Sequence, residues 1–280
     1  MLAILLSAAA ATADQPRVVA IAPNAAEIIC GLGACDQLVG VSRFCTYPPE
    51  LKNVPKIGGL RDPNLEMIVA LQPDFLILRG GGEASHPLRR LAEERNIRIY
   101  DDAVETLDEL YKTIGDLGQL LDRREQAERM IRQIHDELAT VRDSRQGRPR
   151  PRVLFTLGGP VGLSSIFTVG RDTFVNELIE LVGGENIFGG HATRYPNVSL
   201  EEVVGRNPQV IIESMPGEPI DDARRKELWQ RWESLDQIEA VRTGRVYFVS
   251  EEYLTVPSQR VTLSAGKLAE LIHAEPASRE

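Results

Sequence analysis

The chain carries one segment twice. Asn64-Leu65-Glu66-Met67-Ile68-Val69-Ala70-Leu71-Gln72-Pro73-Asp74-Phe75-Leu76-Ile77 returns in substance as Ser199-Leu200-Glu201-Glu202-Val203-Val204-Gly205-Arg206-Asn207-Pro208-Gln209-Val210-Ile211-Ile212. Each copy reads as a capping residue, a short amphipathic helix with a glutamate two positions after the cap, and a proline that stops the helix before an apolar strand. Glu66 precedes Pro73 by the same interval as Glu201 precedes Pro208. A chain repeated in this way is expected to fold as two lobes of like construction, each presenting one glutamate at an equivalent place. Two equivalent carboxylates suit docking onto a symmetric partner.

The 280 residues exceed one average domain and allow two, each large enough to bury its own core. Met1 to Ala13 is small and apolar, and Ala11-Thr12-Ala13 before Asp14 reads as a signal-peptidase site, although the usual positive n-region is missing. Residues 1–13 are therefore expected to be a signal peptide and the mature chain to be periplasmic. No later stretch reaches the roughly 18 apolar residues needed to span a bilayer. The formal charge of -9 sets nucleic acid aside as a partner, since such binders show a basic stripe. Three cysteines, Cys30, Cys35 and Cys45, allow at most one disulfide and one free thiol, and their spacing matches no common zinc pattern. Which of them pair is left open by the sequence. Four histidines without a clustered carboxylate set give no reason to expect a resident metal ion or cofactor.

Short β-rich runs at Arg17 to Ala22, Leu38 to Ser42, Asp74 to Leu78 and Ile97 to Tyr100 alternate with helical patterns beginning near Asn24, Asn64, Ala84 and Glu105. The alternation predicts an α/β fold with a parallel sheet covered on both faces. After Pro151 the plan restarts with strands at Arg152 to Leu157, Gln209 to Ile212 and Arg245 to Val249, and a helix from Asp172 to Val182. Between them, Ala127, Met130, Ile131, Ile134, Leu138 and Val141 form a helical stripe, with Asp122 and Glu125 reading as its capping box and Gly147-Arg148-Pro149 as its stop. That helix would run roughly 33 Å at about 1.5 Å per residue. The expected domains are an α/β lobe over 14–121, a rigid connecting helix over 122–147 and a second lobe over 148–280.

In parallel α/β lobes a ligand sits beyond the carboxyl ends of the strands. At such positions this chain places Arg43, Phe44, Cys45, Tyr47, Arg61 and Arg79 in the first lobe. The second supplies Phe167, Arg171, Arg194, Tyr195, Tyr253 and Arg260. Aromatic faces cover large planar ligands, and arginine forks pair with anionic or acceptor oxygens. The expected ligand is large, partly apolar and bears such groups, and the expected site is the cleft between lobes.

At these residues the chain resembles the periplasmic binding proteins of ferric-siderophore and cobalamin importers, its cobalamin-binding members above all. The likeness rests on Arg17-Val18-Val19 opening to Pro23-Asn24-Ala25-Ala26-Glu27, Val39-Gly40-Val41-Ser42 with Tyr47-Pro48-Pro49, both repeat segments, and Gly183-Gly184-Glu185-Asn186-Ile187-Phe188. It covers nearly all of the mature chain. The resemblance implies two Rossmann-like lobes joined by one rigid helix, little lobe closure, and a monomer that hands its ligand to the transmembrane permease dimer of an ABC importer. By motif it implies that Glu66 and Glu201 meet arginines of that permease. It also implies a metal chelate as cargo. Phe44, Phe167 and Tyr195 fall where cobalamin binders place aromatics against the corrin, while Leu60 and Arg79 stand where those proteins carry tryptophans. Ferric catecholates held by arginines are a second option, and haem, with Tyr195, His86 or His191 on the iron, a third.

A two-lobed enzyme using a nucleotide sugar is the alternative of another class. Its features are missing from the sequence. There is no phosphate loop, Gly80-Gly81-Gly82 is not a dinucleotide fingerprint, and Ser164-Ser165 lacks the hydrolase elbow. Capture without chemistry is the expectation.

Overall fold

The structure is a computed structural model of the chain. It describes residues 15–80, 87–145, 147–158 and 165–275; the expected signal peptide and His86 lie outside them. By their contacts the residues form two units, one running to Asp102 and including Leu117–Arg123, the other made of Ala103–Asp116 and the chain from Arg124 onward.

The first unit contains β1 (Val18–Ala20), α1 (Pro23–Gly31), β2 (Leu38–Val41), α2 (Leu65–Ala70), β3 (Phe75–Arg79), α3 (Pro87–Arg95) and β4 (Arg98–Asp102). Its strands pair in parallel in the order β2-β1-β3-β4. Val19, Ile21, Leu76 and Leu78 from the strands pack with Ile57, with Ile68 of α2, and with Leu88 and Leu91 of α3. Cys30, near the end of α1, and Cys35, just before β2, form a disulfide, leaving Cys45 as the free thiol.

Helix α4 (Leu107–Leu120) follows, and the division between the units falls inside it. Helix α5 (Arg124–Asp143) belongs wholly to the second unit. It buries Ala127, Ile134 and Leu138 and packs on α10 (Val261–Ile272). Asp122 is not its cap. Asp122 has φ +57°, and the neighbouring Arg123 N–H closes on the Gly118 carbonyl at 2.6 Å, so this residue ends α4 in a left-handed turn and does not begin α5.

The rest of the second unit comprises β5 (Arg152–Leu157), β6 (Ile166–Phe167), α6 (Phe174–Leu181), β7 (Glu185–Asn186), β8 (Asn197–Val198), α7 (Leu200–Arg206), β9 (Val210–Ser214), α8 (Asp222–Gln230), α9 (Glu239–Arg242) and β10 (Val246–Val249). Its main sheet is parallel in the order β7-β5-β9-β10. With β5 matched to β1 and β9 to β3, this is the order of the first unit. Trp232 is buried in its core, and its indole N–H donates to the buried Glu213 carboxylate at 3.0 Å, so the polar edge of the ring is satisfied.

The repeat is a repeat of hydrogen bonds as well as of residues. Arg17 opens the first unit's sheet, and its guanidinium Nη2 donates to the Leu71 carbonyl at 2.8 Å, at the end of α2. Arg152 opens the second, and its Nε donates to the Asn207 carbonyl at 3.0 Å, at the end of α7. The backbone N–H of Arg17 is held by the Asp74 side chain at 2.7 Å, and that of Arg152 by the Gln209 side chain at 3.0 Å. Gln72 and Asn207, each just before the proline, both have φ +45°. A left-handed residue turns the chain out of the helix, proline prevents its resumption, and arginine ties the helix-end carbonyl to the start of β1 in one unit and of β5 in the other.

Candidate functional site

The candidate residues of the first unit lie where the chain leaves β2 and β3 and in the loop before α2. In the first unit, Lys56 Nζ donates to the Cys45 and Leu51 carbonyls at 2.7 and 3.0 Å and so fastens the turn after β2. The Arg43 N–H bonds the Gly58 carbonyl at 2.8 Å, drawing that turn against the loop before α2. Phe44 is left 63% exposed and Tyr47 40% exposed, both large rings on an outer surface. Arg43 pairs with Asp62, and its guanidinium carbon stands 5.7 Å from the Phe44 ring centroid. The Arg43 hydrogen bond is also the main reason the Asp62 carboxyl titrates below its usual range. A Cβ on Gly59 would stand 2.9 Å from Asp62 Oδ1 and 3.1 Å from Phe44 Cε2, so glycine lets the two loops close together.

Arg61 is exposed with no partner among the described residues, and Arg79 is exposed at the last position of β3, in register with Asp102. Leu60 packs against the apolar core. Cys45 departs from the rest of its loop. Its thiol is 1% exposed and turned inward, 3.3 Å from Ser42 Oγ, so it packs as a core side chain and does not line a ligand surface. Burial raises its pKa, against the opposing hydrogen bonds from Ser42.

In the second unit β6 and β8 pair antiparallel with Phe167 opposite Asn197, which brings Tyr195, two residues before β8, beside the Phe167 ring. The ring centroids lie 6.2 Å apart with the planes 40° from parallel. Phe167 is 38% exposed, and the Tyr195 hydroxyl donates to the Glu105 carboxylate. Gly170 permits the packing beneath, because a Cβ there would sit 2.3 Å from the Thr193 carbonyl. Asn186 steadies the same turn, donating through Nδ2 to the Val169 carbonyl at 2.9 Å. The Arg194 side chain is exposed without a partner among the described residues, while its carbonyl accepts the Gly170 N–H at 2.6 Å, and Arg171 pairs with Asp172 at 3.6 Å. Arg260 lies over the Tyr253 ring, 5.8 Å from its centroid. Burial, then Glu251, raises the Tyr253 hydroxyl's pKa. His191 accepts the Thr193 N–H on Nδ1 at 3.1 Å.

Thus Arg43 with Phe44, Phe167 with Tyr195, and Tyr253 with Arg260 are the sequence-derived residues that the structure brings into contact. The partners of Arg43 and Tyr195, Asp62 and Glu105, are not among the residues the sequence singles out. Asp62 adjoins Arg61 in sequence and could have been flagged as a loop carboxylate, whereas Glu105 lies 90 residues from its partner and has no local signal. Among the described residues no group of three or more His, Cys, Asp or Glu side chains is placed to hold a metal ion.

Glu66 and Glu201 are exposed, and each is the second residue of its short helix. Asn64 caps one by accepting the Met67 N–H, and Ser199 caps the other through a reciprocal box with Glu202. Leu65, Ile68 and Val69 turn inward in the first as Leu200, Val203 and Val204 do in the second, so both glutamates leave the core by the same rotation. Among the described residues no helix is long and apolar enough to cross a membrane.

Residues 18–253 match the family described as periplasmic binding protein. The vitamin B12-binding protein of Pectobacterium carotovorum is 33% identical over 81% of this chain and 80% of its own. Among solved structures, the periplasmic vitamin B12 binding protein of Vibrio cholerae superposes with a TM-score of 0.73 at 27% identity, covering 92% of this chain and 96% of that one. The periplasmic heme-binding protein RhuT from Roseiflexus sp. RS-1 superposes with a TM-score of 0.75 at 25% identity, covering 93% of this chain and 98% of that one.

Proposed function

The chain belongs to the periplasmic binding protein family, and on that premise we propose that it captures a corrinoid of the cobalamin type and delivers it to the permease dimer of an ABC importer. The observation that carries the reading is the pair of exposed aromatic platforms, Phe44 beside Arg43 and Phe167 beside Tyr195, on loops held in place by hydrogen bonds. An exposed ring on a fixed loop is half desolvated already and loses little freedom when a flat ligand covers it. Arg61 and Arg194, whose side chains have no partner among the described residues, supply donors for acceptor groups at the ligand's edge. The relatives named for vitamin B12 support the same ligand.

Haem is the second reading, favoured by the likeness to the heme-binding RhuT. Tyr195 serves it poorly as an iron ligand, because its hydroxyl proton is the one donated to Glu105. Releasing that proton to bind ferric iron would set a phenolate against a carboxylate. The test is substitution of each platform: Phe44→Ala and Phe167→Ala should each weaken cyanocobalamin binding by about 10-fold or more, the equivalent of about 1.5 kcal/mol of lost ring burial. Unchanged affinity in both variants would remove the platforms from the site.

A further inference from the structure

At the opposite ends of the second unit's strands, where β5 and β10 begin, lies a cavity of about 370 Å³. Arg148 and Pro151 line it from the segment entering β5, Arg245 from the turn entering β10, and Ile272, His273 and Glu275 from the end of α10. Its charge is lopsided. Arg245 donates through Nη2 to the Ile272 carbonyl at 2.6 Å, which fixes the guanidinium in the wall. His273 lies 2.7 Å through Nε2 from the Val182 carbonyl at the end of α6. Arg145, Arg148 and Arg245 all disfavour a charge on its imidazole, in addition to the larger effect of burial, and Glu275 is the carboxylate in the lining.

Guanidinium groups gathered at one opening favour an acceptor that carries negative charge, and one already held by a carbonyl bond loses little freedom in pairing with it. The strand-end loops do not use this region. Its walls are mixed: the arginines stand beside Pro149, Pro151 and Ile272, and the volume is more than ten times the roughly 30 Å³ of one water, well beyond a bare oxyanion. We propose that this cavity is a second ligand site, for a small organic anion whose oxyanion head pairs with Arg148 and Arg245 and whose apolar body packs on Pro151 and Ile272.

The probe is phenyl phosphate, titrated into the full chain by calorimetry and by NMR of the His273 ring. A saturable shift is expected, with the His273 pKa rising on binding because the anion offsets the neighbouring arginines. Arg148 is exposed and its side chain has no partner among the described residues, so Arg148→Gln should fold as the wild type and bind at least tenfold more weakly. Inorganic phosphate should also bind at least tenfold more weakly than phenyl phosphate, and saturating cyanocobalamin should not displace either. Absence of a saturable shift, wild-type affinity in Arg148→Gln, equal affinity for inorganic phosphate, or displacement by the corrinoid would each overturn the assignment.

Discussion

Single side chains set two tests that do not depend on any ligand. Cys45 is the only cysteine outside the disulfide, and its thiol is buried with a raised pKa. In the folded protein it should react with a thiol-specific dye at least 100-fold more slowly than in guanidinium, where the thiolate is exposed. Comparable rates would place the thiol on the surface. Glu177 accepts the Leu107 N–H at 2.7 Å, yet its pKa is raised, by burial first and then by Asp108, Glu109 and Asp172. A carboxyl with a raised folded pKa contributes stability that is full below the unfolded value, about 4.3, and is lost as pH climbs through the folded value. Glu177→Gln keeps an acceptor for Leu107 and cannot ionise. Its melting temperature should therefore fall less than that of the wild type between pH 4 and 7, and a steeper fall would contradict the assignment.

At the scale of elements, the left-handed residues before the two prolines are not equally suited to their place. Asparagine adopts αL readily and glutamine does not. Gln72→Gly should raise stability by about 0.5–1 kcal/mol in urea denaturation. Asn207→Ala should cost about 1–3 kcal/mol, since it also strips the Glu239 N–H of the side-chain oxygen it donates to at 2.8 Å. A loss at the first position or none at the second would contradict the paired-turn account. These turns, their helices and the strands beyond them were legible in the sequence because cap, stripe and proline all pointed the same way. Helix α8 was not, since Leu228 is its buried residue and its polar faces show no stripe. Strands β6 and β8 span two residues each and owe their existence to tertiary pairing. Helix α10 did carry a readable stripe in Val261, Ala265, Leu268 and Ile272, diluted by Ser264 and Gly266. Residue type and place in the chain single out Phe44 and Phe167, whose rings the structure leaves exposed, but the inward turn of Cys45 is set by Ser42 and the core, which periodicity does not reveal.

For the molecule as a whole, one repeated unit is proposed to serve two purposes, holding ligand with its loops and presenting a glutamate to a symmetric permease. Exposed carboxylates on short capped helices guide an encounter more than they deepen it. The double variant Glu66→Ala with Glu201→Ala should keep cyanocobalamin affinity within twofold and abolish uptake in cells whose transport depends on this chain. A large loss of affinity in the purified double variant would refute the docking role. The measurement that bears most directly on the account is an isothermal titration of the wild-type chain with cyanocobalamin. A saturable isotherm with a sub-micromolar Kd, about -8 kcal/mol or better, is the predicted result. No detectable heat from correctly folded protein would contradict it, and would move the ligand to the ferric chelates that the exposed arginines could also hold.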